Sequence, residues 1–533
     1  MLNLLEEGNV ALGLAPVALM AGAAIWSVRG RAPVRRAWAR FNALTFAALA
    51  VSLAELAWEL ALLSAGGTAG PGAGRWLAVN PFGAWAGLLV QLLGAAIAVY
   101  SSHHLNGEPR QPVYMAALGA VLAAVHLLLL ADHWVVLIAA WAAIGHAMHH
   151  LLCFYPDRPF ALLAAHKKRV TDRAADALLI AAALLAWSQT GSGSLSVLRA
   201  HLAAGPASAA LQWSGVCLAL AVIARTALMP VHGWLVQVME APTPVSALLH
   251  AGVVNLGGYV LVLFAPLLGA SPAARWLLVG FGLASAVVAG LVLLTRVSQK
   301  VHLAWSTIAQ MGFMLLECGL GLYLFAALHL LGHSLYKAHN FLNASGAVRE
   351  CERKLLTGEA RNSALSMILA VPVSLAIVFG LQAALGDRAW PWWWSAVLAL
   401  AWAPILWAPK AQAGGARTVA ARIAAAVFMA IVLTLAAGIV DHAPIGVLND
   451  PLDGAGIVAL VGLGVMYLGM VAFQVWPQSV VTARRWVYAG FYMDEGYTHW
   501  VLRLWPAAWA GAGRKATPPS WRPQESVYEG VRS

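Results

Sequence analysis

Fifteen apolar runs, each of about the length that crosses a bilayer, decide most of what this chain can become. They fall near residues 9–28, 41–63, 80–100, 113–131, 133–153, 172–187, 210–229, 243–264, 276–295, 300–319, 322–346, 364–385, 393–408, 419–438 and 455–476. A bilayer core takes about 20 helical residues, and the runs are of that order, some shorter. Within lipid every backbone N–H and C=O must be paired inside the protein, so runs of this kind read as helices. Of the 533 residues, 61% are hydrophobic and only 10% charged, where soluble proteins carry about 25% charged residues. The expectation is an all-α polytopic membrane protein of about 15 transmembrane helices. Broken helices are expected in it, and two inverted five-helix repeats of the kind transporters use. One membrane domain occupies 1–477. A cytoplasmic tail, 478–533, begins with an amphipathic piece at 484–505 and ends in Pro-rich sequence around Pro518, Pro519 and Pro523.

The net charge of +11 resembles a nucleic-acid signal until the charges are located. Loops of one parity hold Arg29, Arg31, Arg35, Arg36 and Arg40; then Arg158, Lys167, Lys168 and Arg169; then Arg349, Arg353, Lys354 and Arg361; then Lys410, Arg417 and Arg422. Loops of the other parity hold Arg75, Arg199, Arg275 and Arg388. This asymmetry follows the positive-inside rule. It predicts a multi-pass protein of the cell inner membrane with its N-terminus outside and its C-terminus in the cytoplasm, and leaves no nucleic-acid surface to explain. Glu6 and Glu7 precede the first run and arginines follow it, the reverse of a cleaved signal peptide. Cys153, Cys217, Cys318 and Cys351 lie far apart with no CxxC pair, so no cysteine metal site or disulfide framework is expected, and no cofactor in this chain. Trp390, Trp392, Trp393 and Trp394 cluster at a span boundary, as interfacial aromatic belts do.

Ionisable residues at membrane depth are costly and mark ion paths. Lys337 lies inside the run 322–346, with His333 and His329 four and eight residues before it, close to one helical face. A snorkelling lysine is the bland alternative. Arg225 lies near the end of its span; it holds its proton, so it fixes a carboxylate or a field, or snorkels. Lys300 begins a span, with His302 after it, where an interfacial lysine is also at home. Glu55 and Glu59, one turn apart, share a face and would repel if both ionised, so they are proton-path candidates or partners of bases elsewhere in the bundle. Asp172, Arg173 and Asp176 open another span, as a structural salt bridge or a relay. His146, His149 and His150 crowd one helix; a haem there would need a histidine from another span, such as His126. Glu317, near the outer end of its span, has no assignment. Between Arg225 and His250, Pro230, Pro242 and Pro244 interrupt the apolar sequence. Such interruptions are tolerated at depth only inside protein or beside a cavity.

The stretches HGWLVQVMEAPTPVSALLHA, QKVHLAWSTIAQMGFM and HSLYKAHNFLNASGAV resemble signature regions of the antiporter-like subunits of respiratory complex I and Mrp-type cation/proton antiporters, over roughly residues 80–350. The resemblance places Lys300, Lys337, His250, His329, His333, Arg173 and Asp176 in half-channels and a central hydrophilic axis. The chain departs from the pumping pattern: Trp141 is followed by Ala142 where that pattern has glutamate, and arginine stands at 225 in place of lysine. The tail is also shorter than the long lateral helix of the distal complex I subunit. The stretches HAMHHLLCFYPDRPFALLAAHKKRVTDRAAD and YAGFYMDEGYTHWVLRLWP are similar to the membrane subunits of the two-component DabA–DabB inorganic carbon systems.

That likeness implies a transporter subunit, not an enzyme: a cation-conducting (proton first) membrane protein that energises CO2 hydration by a peripheral cytoplasmic zinc protein resembling a β-carbonic anhydrase. The zinc would lie in the partner. Protons would enter from the outer face past Glu55 and Glu59 or the histidines, cross through Lys300, His329, His333 and Lys337, and leave near Asp176 or His250. Arg225 would hold a fixed field, and the inner loops and tail would dock the partner. The alternatives are a proton-pumping or Na+/H+ antiporter subunit of a complex I-like or Mrp-type complex, and a haem-bearing membrane anchor.

Overall fold

A computed structural model describes residues 2–30, 33–65, 76–344, 362–385, 390–408, 415–440 and 445–507. The loop 349–361 and the Pro-rich end of the tail lie outside them, as does the end of the run 322–346. Among the described residues the chain is helical, with two isolated bridges and no strand.

The first six helices are α1 (Leu2–Arg29), α2 (Val34–Ser64), α3 (Pro81–His104), α4 (Gln111–Leu129), α5 (Trp134–Leu152) and α6 (Pro159–Thr190). Next come α7 (Leu195–Ala204), α8 (Ala209–Arg225), α9 (Gly233–Gln237), α10 (Thr243–Ala251), α11 (Leu256–Leu263), α12 (Ala265–Gly269), α13 (Pro272–Leu293), α14 (Gln299–Leu320) and α15 (Tyr323–Leu342). The last six are α16 (Ala364–Leu385), α17 (Trp392–Trp402), α18 (Gly415–Val440), α19 (Asp453–Val475), α20 (Val481–Tyr488) and α21 (Met493–Leu504). Among the described residues, eleven helices are long and apolar enough to cross a membrane, counting α10 and α11 together as Thr243–Leu263. The other four predicted runs fall on α6 and α15, which carry polar and charged residues, and on the shorter α8 and α17.

Helix starts follow local chemistry. Asn80 caps α3 by accepting from the Gly83 N–H at 2.8 Å, with Pro81 in the first turn. Ser208 caps α8 in the same way through Leu211. Both satisfy donors that a helix end leaves open.

Loops of each parity are tied to one another. On the sparsely basic side, bridges join Leu77 to Ala131 and His133 to Ser194. Arg199 pairs with Asp132 at 2.8 Å and Arg275 with Asp450 at 3.0 Å. On the other side, here called the basic face, Arg110 donates to the carbonyls of Cys153 and Phe154, and Arg158 to that of Glu240 at 2.7 Å.

The described part of the tail lies against this basic face. The turn from α20 to α21 runs through Gly490, Phe491 and Tyr492, all in the left-handed region (φ 62°, 57° and 55°). It seats α21 on α6 and α9. Asp494 pairs with Lys167, whose side chain is fully buried and also donates to Thr498 and Gln237. Gln237 in turn donates to Asp494 at 3.0 Å. Gly233 presses so closely on Asp494 that a β-carbon there would collide with the carboxylate.

Candidate functional site

Three polar clusters lie inside the helical bundle. The first joins α1 to α4. Thr45, Ser52, Glu55 and Glu59 are buried on α2 at helical spacing, so they share a face. Asn9 donates to Glu59 Oε1 at 2.6 Å. Glu55 Oε2 stands 3.6 Å from His126 Nε2 on α4, and the other nitrogen of that ring lies 3.4 Å from Gln91 on α3. The two carboxylates thus have separate partners, one neutral amide and one imidazole. His126 is engaged here and not with the histidines of α5.

The second cluster is built around a broken span. Pro242 and Pro244 do not break it: they occupy the cap and first turn of α10, where a missing N–H costs nothing. The break follows α10, at Gly252 and the 3-10 turn Val253–Asn255. Asn255 spans it, donating to the Ala251 carbonyl at 2.9 Å and to Ser334 on α15 at 2.7 Å. Above the break, His250 is fully buried: its Nδ1 lies 3.0 Å from Thr307 Oγ1 on α14 and its ring stacks on Phe341.

Lys337 is also fully buried, which excludes snorkelling. Its ammonium donates to the Leu303 carbonyl at 3.1 Å and to Ser306 at 2.8 Å, both on α14. One helical turn up α15, His333 reaches the backbone of His250 and lies 5.8 Å, ring to ring, from His329. His329 Nδ1 is 2.8 Å from Glu317 Oε2. The fold thus sets Glu317, His329, His333 and His250 in succession with Lys337 beside them: Glu317 bonds His329, His329 and His333 meet ring to ring, and His333 meets the backbone of His250. His250 Nε2 and His333 Nε2 have no partner among the described residues. Buried nitrogens of this kind ordinarily take a water.

Lys300 is not part of this row by any contact described. It is half-buried on the basic face, near Arg158 and Glu240, one turn of α14 below the carbonyl that holds Lys337.

The third cluster lies between α5, α6 and α8. Arg225 is buried, donates to the Trp141 carbonyl at 3.0 Å and pairs directly with Asp176. Arg173 reaches the other oxygen of the same carboxylate at 3.1 Å. Lys168 pairs with Asp172. The carboxylate that faces Arg225 beside Trp141 thus comes from α6, and Ala142 lines the cavity that opens there. His146 and His149 line that cavity too.

Asn9, Gln91, Asn255, Ser306 and Thr307 escaped the sequence reading. Their only signal was a small polar residue at helical spacing on an apolar face, which is too common to single out.

The middle of the chain, residues 131–386, matches the family described as NADH:quinone oxidoreductase/Mrp antiporter, TM. A protein of Hydrogenovibrio crunogenus named "Probable inorganic carbon transporter subunit DabB" is 37% identical over 449 residues, 81% of this chain and 86% of that one. The chain belongs to the DabB family. A second DabB relative, "Probable inorganic carbon transporter subunit DabB2" of Halothiobacillus neapolitanus, is 38% identical over 70% of this chain and 69% of its own length. The NADH-quinone oxidoreductase subunit L of Mycobacterium tuberculosis is 36% identical over 264 residues, 49% of this chain and 41% of that protein. Among solved structures, the Mrp complex from Dietzia sp. DQ12-45-1b aligns with a TM-score of 0.55 at 21% identity, over 96% of this chain and 57% of that chain, which shows a shared fold. The chain is thus a multi-pass membrane protein with the antiporter-like architecture.

Proposed function

We propose that this chain is the cation-conducting membrane subunit of a two-component inorganic carbon uptake system, and that the cation is the proton. The row Glu317–His329–His333–His250 beside Lys337 carries this reading, because it puts titratable groups in succession inside a membrane-spanning bundle. A lone buried ion would serve structure alone; a row of groups that both accept and donate can pass a proton between neighbours. Glu55 with His126, and Asp176 with Arg173, are the further stations, and Arg225 supplies a standing positive field. Lys300 is the station nearest the basic face.

That face is the cytoplasmic one in this reading, in the cell inner membrane, and it docks a peripheral zinc protein of the DabA kind. The partner's zinc chemistry hydrates CO2, and the cation flow drives it. The names of the two DabB relatives support the carbon assignment.

The test is growth in air of cells lacking carbonic anhydrase. The chain expressed with its genomic neighbour should rescue them; neither protein alone should, nor the pair carrying Lys337→Ala. Rescue by the chain alone, or undiminished rescue by the variant, would contradict the proposal. Copurification with quinone-reductase or small Mrp subunits instead of a zinc protein would favour a pump subunit.

A further inference from the structure

The cavity between α5, α6 and α8 has a volume of about 240 Å³, where about 10–15 Å³ on the same measure holds one water. Its walls carry four cations, Lys168, Arg169, Arg173 and Arg225, against two carboxylates, Asp172 and Asp176. Lys168 takes up Asp172, and both Arg173 and Arg225 share Asp176. Arg169 has no carboxylate among the described residues; it donates to His149 Nε2 at 2.6 Å. An arginine holds its proton, so that ring nitrogen is the acceptor and His149 is not an imidazolium. Two positive charges in the walls therefore lack a counter-charge. In addition Arg225, with its side chain 4% exposed, lines the cavity with its Nε unpartnered. A buried donor without an acceptor is costly, the more so when it is charged.

The position of the cavity is informative. Ala142 forms part of its wall, next to Trp141, whose carbonyl and ring both receive Arg225. A glutamate at 142 would supply a tethered carboxylate here. With alanine, the space and the charge are left for an anion that can come and go.

We propose that this cavity binds a small oxyanion, held by Arg169 and Arg225, and that in this chain the anion is bicarbonate. The class follows from guanidinium forks, which match planar oxyanions; the choice of bicarbonate rests on the function proposed above. The bound ion completes the electrostatics around the Arg225–Asp176 pair, so the bicarbonate level on the basic face would set the field felt by the neighbouring polar axis.

The experiment is a titration of the full chain with its copurified partner in phosphatidylcholine nanodiscs, at constant ionic strength, with potassium bicarbonate. Bound ion is measured by equilibrium dialysis against radiolabelled bicarbonate. A variant of the partner lacking its zinc ligands, used throughout, removes its own bicarbonate site from the signal. Saturable binding is expected, weakened about tenfold or more in Arg169→Gln, the loss of one charge-assisted hydrogen bond, and abolished in Ala142→Glu. Ala142→Gln, matched to glutamate in size but uncharged, should weaken binding less than Ala142→Glu, which separates charge from packing, and size-exclusion profiles report folding of each variant.

Three outcomes would overturn the proposal: no saturation by bicarbonate, equal affinity for chloride, or unchanged binding in both Arg169→Gln and Ala142→Glu. A site that ignores bicarbonate but is occupied by added cardiolipin would belong to a lipid phosphate, and the free-ion assignment would fall. Air-growth rescue by the native pair is independent of all these, so it can succeed while this inference fails.

Discussion

At the scale of single residues, the interior holds charges that depend on one another. Arg225 pairs with Asp176 of α6, and Trp141 is followed by Ala142, which carries no charge. Removing one member of a buried pair leaves the other uncompensated, at a cost of about 3–5 kcal/mol. Asp176→Asn should therefore lower the thermal unfolding midpoint in detergent by several degrees, and Arg225→Met with Asp176→Leu together should recover much of the loss. Recovery that does not occur would mean that Arg225 and Asp176 do not act as a pair. Lys337 is different, because its contacts are neutral acceptors, Leu303 O and Ser306 Oγ. Proton flux into liposomes loaded with a pH-sensitive dye should fall at least tenfold in Lys337→Ala. It should fall in Lys337→Arg as well, since arginine keeps its charge but does not release the proton. A Lys337→Arg variant as fast as the native chain would leave the lysine with a purely electrostatic role.

At the scale of elements, the spans were legible and their interruptions only partly so. Apolar length located the fifteen runs on helices, one of them, 243–264, on the broken pair α10 and α11, because the bilayer requirement is one of length and hydrophobicity alone. Pro230 lies in the turn between α8 and α9 and does interrupt the apolar sequence, whereas Pro242 and Pro244 mark the start of α10; the break within the span comes at Gly252, where nothing but a glycine in an apolar string announced it. Asn255→Ala strips the break of its bridging amide and should cost about 1–3 kcal/mol, the price of a buried carbonyl left without a donor, measurable by thermal unfolding. The amphipathic character of the tail was visible too, but not its seat, since Lys167 and Asp494 are more than three hundred residues apart in sequence.

That seat also carries a pH dependence. His232, in the connection between α8 and α9, is buried against Trp305, and burial pushes its pKa down to about 4 despite the nearby Asp494. The unfolded chain takes up that proton near 6.5. Between these values the unfolded state binds more protons, so stability is full above about pH 6.5 and declines as the pH falls towards 4, by at most about 1.4 kcal/mol per pH unit. Unfolding midpoints measured from pH 7.5 to 5 should show that slope, and His232→Gln should flatten it.

At the scale of the whole molecule, charge parity grouped loops of which several described ones are tied to one another at one side or the other of the bundle. The positive-inside rule puts the basic face in the cytoplasm, so a C-terminal reporter that is active only there should be active on this chain, and one that needs export should be silent. The reverse result would place the basic face outside. The connected axis was harder to see in advance. Lys337 and its histidines stood out as isolated anomalies, whereas the acceptors that hold them are backbone carbonyls and hydroxyls of α14, which carry no charge to read.

The close contact of Gly233 with Asp494 has a mechanical corollary. The last described helix and the segment leading into α10 share a clasp with no slack, and α10 carries His250 near its end. Whatever grips the outer side of α21, where Trp500, Leu504 and Trp505 are exposed, holds a handle joined through two short links to an imidazole in the bundle's interior.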